Sequence, residues 1–182
     1  MDIDKDLQAL IDGEIDHDEY NQIQIDNAYK KATELFNGAK TEDDIWQALF
    51  VCNRGNRPEL LYSAITQIPL SDHTINEMIE YVWTDNELVY QWQDMWDGIW
   101  CNYNSSYQKK LIQRIFKQPI KLYRAGNIDG EYQSWTFSKD VAKFFALRRR
   151  ESKVIHERYF EADQVVAISN KRKEKEVVVR SI

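Results

Sequence analysis

The sequence has few of the residues that cross-link small proteins or hold metals. It contains two cysteines, Cys52 and Cys101, and three histidines in 182 residues. Their spacing matches no zinc motif and suggests no disulfide framework, so we expect reduced, buried thiols and no structural metal. The sequence also lacks a linker rich in proline, glycine and serine. We therefore expect one compact body rather than two domains joined by a linker.

Long apolar runs are missing as well. No stretch approaches the roughly 20 apolar residues of a membrane-spanning helix, and the start, MDIDKD, is too acidic for a secretory signal. These features predict a cytoplasmic protein without a membrane segment. Apolar residues nevertheless make up 43% of the chain and aromatic residues 13%, which is ample for a packed core.

Charge is distributed unevenly along the chain. Residues 1–118 hold 21 acids and 10 bases, whereas residues 119–182 hold 9 acids and 14 bases. The basic second half suits phosphate-bearing ligands such as dinucleotides or nucleic acid, and the acidic first half would repel nucleic acid or hold a basic partner. Solvated faces of opposite sign are the alternative interpretation.

The first 118 residues show helical periodicity. One helix is predicted from Asn21 to Asn37 with Gly38 as its stop, and Thr41 has the features of the next N-cap. Further helices are predicted from Pro58 to Ile68, from Ser71 or Asp72 to Trp83, from Asn86 to Trp100 and from Ser105 to Lys117.

Short runs rich in β-branched and aromatic residues follow Pro119. They predict strands over residues 120–125, 133–138, 153–160, 164–169 and 176–180. One helix interrupts them, with Ser138 as N-cap. Its inward residues are predicted to be Val141, Ala142, Phe144, Phe145 and Ala146. The predicted fold class is α+β, with an all-helical region 1–118 of unknown role and a mixed region 119–182.

Two glutamates, Glu174 and Glu176, precede the valines of the last predicted strand. Residues two apart on a strand share a face and lie about 7 Å apart. Two carboxylates at that distance repel by about 0.6 kcal/mol in water and about 2.4 kcal/mol at an effective dielectric constant of about 20. Such a pair is a poor structural choice unless it faces cationic groups, in which case perturbed pKa values are expected.

Three motifs of the second half occur in a suggestive order. They are LYRAG with Arg124, SWTFSKDVAKFFA with Ser134, and EKEVVV with the two glutamates. Together they resemble the arginine-serine-glutamate signature of NAD-dependent mono-ADP-ribosyltransferases of the bacterial-toxin and phage type, over residues 119–182. The resemblance implies an ADP-ribosyltransferase-like split β-sheet core, NAD as co-substrate and no metal.

The resemblance also implies roles for the carboxylates and their support. Glu176 would stabilise the positive ribose in the transition state, and Glu174 would orient or deprotonate the acceptor. Ser134 would hydrogen-bond Glu176 and fix its rotamer. Trp135 stands where the family more often has threonine, and it should face the opposite side of the strand. An exposed strand end without function is the alternative for the glutamates.

The remaining implied roles concern NAD and the target. Arg124, with Tyr123 beside it, would bind a phosphate or ribose of NAD; an ordinary ion pair is the alternative. Thr136 could touch the nicotinamide amide. The aromatic residues that could stack on the nicotinamide are Tyr132, Phe137, Phe144 and Phe145, with Phe145 assigned to the cofactor site. Target recognition is implied for the turn Asn170, Lys171, Arg172 and Lys173, unless that turn merely solubilises the chain.

The predicted function is therefore transfer of ADP-ribose from NAD to a macromolecule, an arginine on a protein before other acceptors, as in a phage effector or intracellular toxin. ADP-ribosylation of RNA or DNA and hydrolysis of NAD are alternatives within the same chemistry. A non-catalytic binding or inhibitor protein is the alternative from another class. It would act through Trp92, Trp96 and Trp100, which share a helical face and which otherwise form core.

Overall fold

The computed structural model describes residues 5–85, 92–103, 106–128, 131–148, 153–169 and 174–180. By its internal contacts the chain divides into two compact units, residues 1–87 and residues 88–182. The boundary between the two units lies earlier in the chain than residue 118, where helices give way to strands. The last two helices of the predicted helical region therefore group with the sheet.

The first unit consists of helices in its described part. Its elements are α1 Lys5–Ile11, α2 His17–Asn37, α3 Glu42–Val51, α4 Arg57–Gln67 and α5 Asp72–Asp85. Thr41 is the N-cap of α3, with a reciprocal capping box to Asp44, as its position in the sequence predicts. Helix α1 was not predicted. Leu7, Leu10 and Ile11 have helical spacing, but the helix is only 7 residues long and buries none of them.

A buried arginine connects the helices of this unit. Arg57 is 8% exposed, and its Nε donates to the carbonyls of Leu49 and Cys52 at 2.9 and 3.1 Å. Its guanidinium also pairs with the carboxylate of Asp85. Because a buried charge is costly unless it is paired and hydrogen-bonded, this contact pattern makes Arg57 a structural residue that ties the end of α3 to the end of α5.

The second unit combines helices with an antiparallel sheet. Its elements are α6 Gln93–Asn102, α7 Ser106–Ile115, β1 Ile120–Ala125, β2 Tyr132–Thr136, α8 Lys139–Arg148, β3 Ile155–Phe160, a short 3-10 helix Ala162–Gln164, β4 Val165–Ser169 and β5 Glu176–Arg180. The strand order is β3-β1-β2-β5-β4, and each neighbouring pair is antiparallel. All five predicted strands are confirmed with small shifts at their ends, and the chain is α+β.

The hydrophobic core lies on one face of this sheet. It consists of Ile112 and Phe116 of the α7 segment together with Leu122, Trp135, Phe160, Val165, Val177 and Val179. Trp135 is 1% exposed and its ring lies 4.8 Å from the ring of Phe160, which confirms that it faces away from Ser134 and Thr136. The α7 segment supplies part of this core, which is why it groups with the sheet rather than with the first unit.

The burial predicted for Trp96 and Trp100 of α6 is confirmed, whereas the burial predicted for Phe144 of α8 is not. Trp96 and Trp100 are buried and their rings stack at 5.9 Å, so the core interpretation is confirmed for both. Ala142 and Ala146 of α8 are buried as predicted, but Phe144 is 54% exposed. The inward prediction for Phe144 is wrong, because two residues along a helix turn a side chain by about 200°, away from the line of the buried alanines.

Candidate functional site

A row of polar side chains crosses the whole sheet. Tyr123 of β1 lies opposite Glu157 of β3 and opposite Thr136 of β2. Thr136 lies opposite Glu176 of β5, which lies opposite Ser169 of β4. Directly opposite residues of antiparallel strands share a face. These five residues therefore form a polar row, and with neighbouring strands 4.7–4.9 Å apart it extends over roughly 19 Å.

The polar row lies on the face opposite the hydrophobic core, because its members alternate along their strands with Leu122, Trp135 and Val177. Two helices reach this face. Lys139, at the start of α8, pairs with Glu157 at 2.5 Å, and its Nζ lies 5.9 Å from the centre of the Tyr123 ring.

Helix α6 reaches the same face farther along β2 and β5. The Tyr132 hydroxyl donates to the Asp97 carboxylate at 2.6 Å, and Arg180 pairs with that carboxylate at 3.0 Å. Tyr132 and Arg180 lie opposite each other, on the face of the polar row. Burial and the hydrogen bond to Asp97 raise the pKa of Tyr132. Its hydroxyl is therefore already engaged in a structural contact.

The Thr136 side chain is at the centre of the row and is only 7% exposed. Its hydroxyl donates to the backbone carbonyl of Glu174 at 2.7 Å and accepts from the backbone N–H of Ser138 at 3.1 Å. The next residue, Phe137, donates its backbone N–H to the carbonyl of Lys175 at 3.3 Å. The end of β2 thus holds both the entry to β5 and the start of α8.

The two glutamates do not occupy equivalent strand positions. Strand β5 begins at Glu176, and Lys175 has a left-handed backbone with φ of 50°. The period-two alternation of a strand therefore does not extend to Glu174, and the expectation that both carboxylates occupy one strand face is wrong. Glu176 lies on the polar row, whereas Glu174 lies in the bend before the strand; both residues are half-buried.

Ser134 lies on the same face of the sheet as Glu176, but it is not directly opposite Glu176. Its direct partner on β5 is Val178. Diagonal neighbours across antiparallel strands are about 7–8 Å apart, within reach of a long side chain. The hydrogen bond from Ser134 to Glu176 accordingly stays a prediction, while Thr136 is the residue directly opposite Glu176.

Arg124 contacts the backbone of β2 from the other face. Arg124 follows Tyr123 on β1 and pairs with His156 of β3. Its side chain therefore projects from the same face of the sheet as Leu122, opposite the polar row. Its Nη1 donates to the Ser134 carbonyl at 2.5 Å and its Nε to the Asn127 carbonyl at 2.7 Å. Within the described residues, β1 pairs with β2 at Tyr123 and Thr136 alone. The hydrogen bond from the Arg124 guanidinium to Ser134 therefore links β1 to β2 at a point where the two backbones are no longer paired.

The other predicted site residues are dispersed. The Phe137 ring lies 5.9 Å from that of Phe116 and packs against the core, away from the polar row. The Phe145 ring is half-buried and contacts that of the exposed Phe144 on α8 at 5.6 Å. The predicted target-recognition residues, Asn170, Lys171, Arg172 and Lys173, lie outside the described residues.

Glu157 and Ser169 are the two members of the polar row that were not predicted from the sequence. Hydrogen bonding and the positive charge of Lys139, assisted by Lys121, lower the pKa of Glu157. Its carboxylate is therefore ionised and neutralises two lysines at one end of the polar row. Alternation along β3 could have placed Glu157 on a face, but the pairing of β3 with β1 was needed to place it beside Tyr123.

A shallow pocket of about 330 Å³ lies between residues 116–119 and residues 161–163, and it includes no member of the row. Among the described residues, no cluster of histidine, cysteine and acidic side chains is arranged to hold a metal ion. In the same part of the chain, no helix combines the length and the apolar character needed to cross a bilayer.

Comparison of the chain with known proteins found no matching family model, no matching curated protein and no matching solved structure.

Proposed function

We propose that the unit formed by residues 88–182 is a mono-ADP-ribosyltransferase. It would cleave NAD at the bond between nicotinamide and ribose and transfer ADP-ribose to a macromolecule, with an arginine of a protein as the acceptor. The polar row carries this proposal. It joins Tyr123, Thr136 and Glu176 from three separate motifs of the sequence on one face of three adjacent strands.

The chemistry of the row is suited to this reaction. Loss of nicotinamide leaves a transition state that resembles an oxocarbenium ion, as in glycoside cleavage. A carboxylate fixed on a strand stabilises such a cation, because it does not have to reorganise as the charge develops. Nicotinamide leaves as a neutral molecule, so no strong general acid is required. Glu176 is our choice for this carboxylate, since the ladder with Thr136 and Ser169 fixes its backbone on both sides.

Arg124 supports the proposal by its place at the gap between β1 and β2. In the described parts of the two strands, the pairing of β1 with β2 is confined to Tyr123 and Thr136, which leaves a gap between two strands of the single five-stranded sheet. Arg124 leaves β1 on the side opposite the polar row, so its guanidinium, oriented by the Ser134 and Asn127 carbonyls, would meet a diphosphate only where NAD extends through the gap to that side. Such fixed orientation suits recognition of phosphate oxygens.

The charge of the two units favours a protein acceptor. Residues 88–182 hold 18 bases and 11 acids, which suits the phosphates of NAD. Residues 1–87 hold 19 acids and 6 bases, which repels nucleic acid and attracts a basic protein. Burial of Trp96 and Trp100 argues against a binding protein that acts through the tryptophan face.

The test uses the full chain, NAD labelled in its adenylate part, and a cell lysate. Glu176→Gln is compared with Asp163→Asn, a change of the same kind at an exposed acid outside the polar row. We expect protease-sensitive label with the wild type and Asp163→Asn, and a loss of about 100-fold or more with Glu176→Gln, as for removal of a transition-state charge stabiliser.

The other outcomes are equally informative. Label that nuclease removes would identify RNA or DNA as the acceptor, and loss of NAD without labelled macromolecule would identify NAD hydrolysis. Absence of any NAD consumption, or equal activity of Glu176→Gln and the wild type, would overturn the proposal.

A further inference from the structure

The hydroxyl of Thr136 is committed to backbone groups. A hydroxyl has one proton to donate, and that of Thr136 is donated to the Glu174 carbonyl at 2.7 Å. The oxygen also accepts the Ser138 N–H at 3.1 Å. With a residue exposure of 7%, this side chain is placed to hold neighbouring backbone rather than to meet a ligand in solution.

The backbone that it holds is unusual. Lys175 is the sole non-glycine residue with a positive φ in the described parts of the chain. A side chain with a Cβ is disfavoured in this left-handed region, and such residues persist where their surroundings hold them in place. Here the carbonyl before Lys175 is bound by Thr136, and the carbonyl of Lys175 itself is bound by the N–H of Phe137.

We propose that Thr136 is a positioning residue that sets the geometry of the two glutamates. Its hydroxyl holds the Glu174 carbonyl and thereby keeps Lys175 left-handed, so that Glu174 leaves the strand while Glu176 remains on the polar row. This inference rests on the proposed function. It assigns Thr136 to the acceptor step through Glu174, in place of the contact with nicotinamide that the resemblance suggested.

The two carboxylates should respond differently when the hydroxyl is removed. Without it, Lys175 can relax towards the ordinary strand region, and Glu174 then changes direction. The backbone of Glu176 is still paired with β2 and β4, so its contribution to NAD cleavage should remain. The variant should therefore separate transfer to the acceptor from cleavage of NAD.

The experiment compares Thr136→Val, which removes the hydroxyl at nearly constant shape, with Thr136→Ser, which keeps it. Thr33→Val is the matched control, because Thr33 also donates its hydroxyl to a backbone carbonyl, that of Tyr29, but in the first unit. For Thr136→Val we expect transfer to fall about tenfold or more, and to fall further than NAD cleavage measured in the absence of acceptor. Thr136→Ser and Thr33→Val should stay within about threefold in both reactions.

Rescue by glycine gives a second readout that a general loss of stability would not produce. Glycine adopts positive φ without steric cost. The double variant Thr136→Val with Lys175→Gly should therefore regain part of the lost transfer. Equal falls in transfer and NAD cleavage, failure of Thr136→Ser to retain transfer, or absence of rescue would overturn the inference.

A third readout does not depend on NAD. Hydrogen exchange of peptides covering residues 174–180 should be faster in Thr136→Val than in Thr136→Ser or wild type. Unchanged exchange would overturn the positioning role even if activity fell. If wild-type protein consumes no NAD, the proposed function and the catalytic part of this inference fail together, while the exchange rates still decide whether Thr136 holds this backbone.

Discussion

Replacement of Arg124 by alanine tests how the gap between β1 and β2 is held. The change removes the hydrogen bonds to the Ser134 carbonyl at 2.5 Å and the Asn127 carbonyl at 2.7 Å. A hydrogen bond to a charged group contributes about 1.5–3 kcal/mol, but Asn127 is exposed and water can replace the partner that its carbonyl loses. We therefore expect a loss of about 2–3 kcal/mol in the free energy of opening this part of the sheet.

The measurement is hydrogen exchange of peptides covering β1 and β2 in increasing denaturant, because two units of one chain need not unfold together. Arg158→Ala is the matched control, since Arg158 is an exposed arginine on the neighbouring strand β3. We expect it to cost less than about 0.5 kcal/mol. Arg124→Lys keeps the charge without the planar fork and should fall between the two.

The reasoning is refuted if Arg124→Ala opens no more readily than Arg158→Ala. In that case the two hydrogen bonds do not hold the strands, and any loss of NAD cleavage in the alanine variant would reflect a direct contact with NAD. If opening and activity both change, Arg124→Lys separates the two roles, because it retains the charge without the planar fork that reaches both carbonyls.

Three further predictions follow from single side chains. Gln108→Leu should lower the free energy of unfolding by about 2 kcal/mol. The Gln108 side chain donates to the Ile168 carbonyl at 2.9 Å and accepts from the Ile168 N–H at 3.2 Å, on the edge strand β4. Unchanged hydrogen exchange of the Ile168 amide would contradict this prediction. Thr41→Ala should cost about 1 kcal/mol through loss of the α3 N-cap, measured by thermal unfolding, and Thr41→Ser should restore it. Burial raises the pKa of Cys52 from 9.0 to about 11, so the unfolded chain ionises first and stability falls as pH rises from 9.0 to about 11. Cys52→Ala should reduce this fall in melting temperature, and an identical pH profile would contradict the assignment.

Local signals explain the parts of the fold that were predicted correctly. The capping box of Thr41, the helix stop at Gly38 and the valine run of β5 depend on residues within a few positions of one another. Two predictions from local patterns were wrong, that of one strand face for Glu174 and Glu176 and that of an inward Phe144. At Lys175 the backbone is left-handed, which interrupts the strand alternation assumed for Glu174 and Glu176. On α8 the buried face of the helix contains Ala142 and Ala146, so Phe144 points to the exposed side.

By itself, the sequence determined where most helices and all five strands lie, because hydrophobic periodicity and capping act over one or two turns of chain. It also pointed to Arg124, Ser134 and Glu176 through their motifs. Only the tertiary structure decided that Glu157, Tyr123, Thr136, Glu176 and Ser169 form one row. Strand order and register join residues far apart in the chain, and pairing across a sheet depends on the packing of the whole unit rather than on any local pattern.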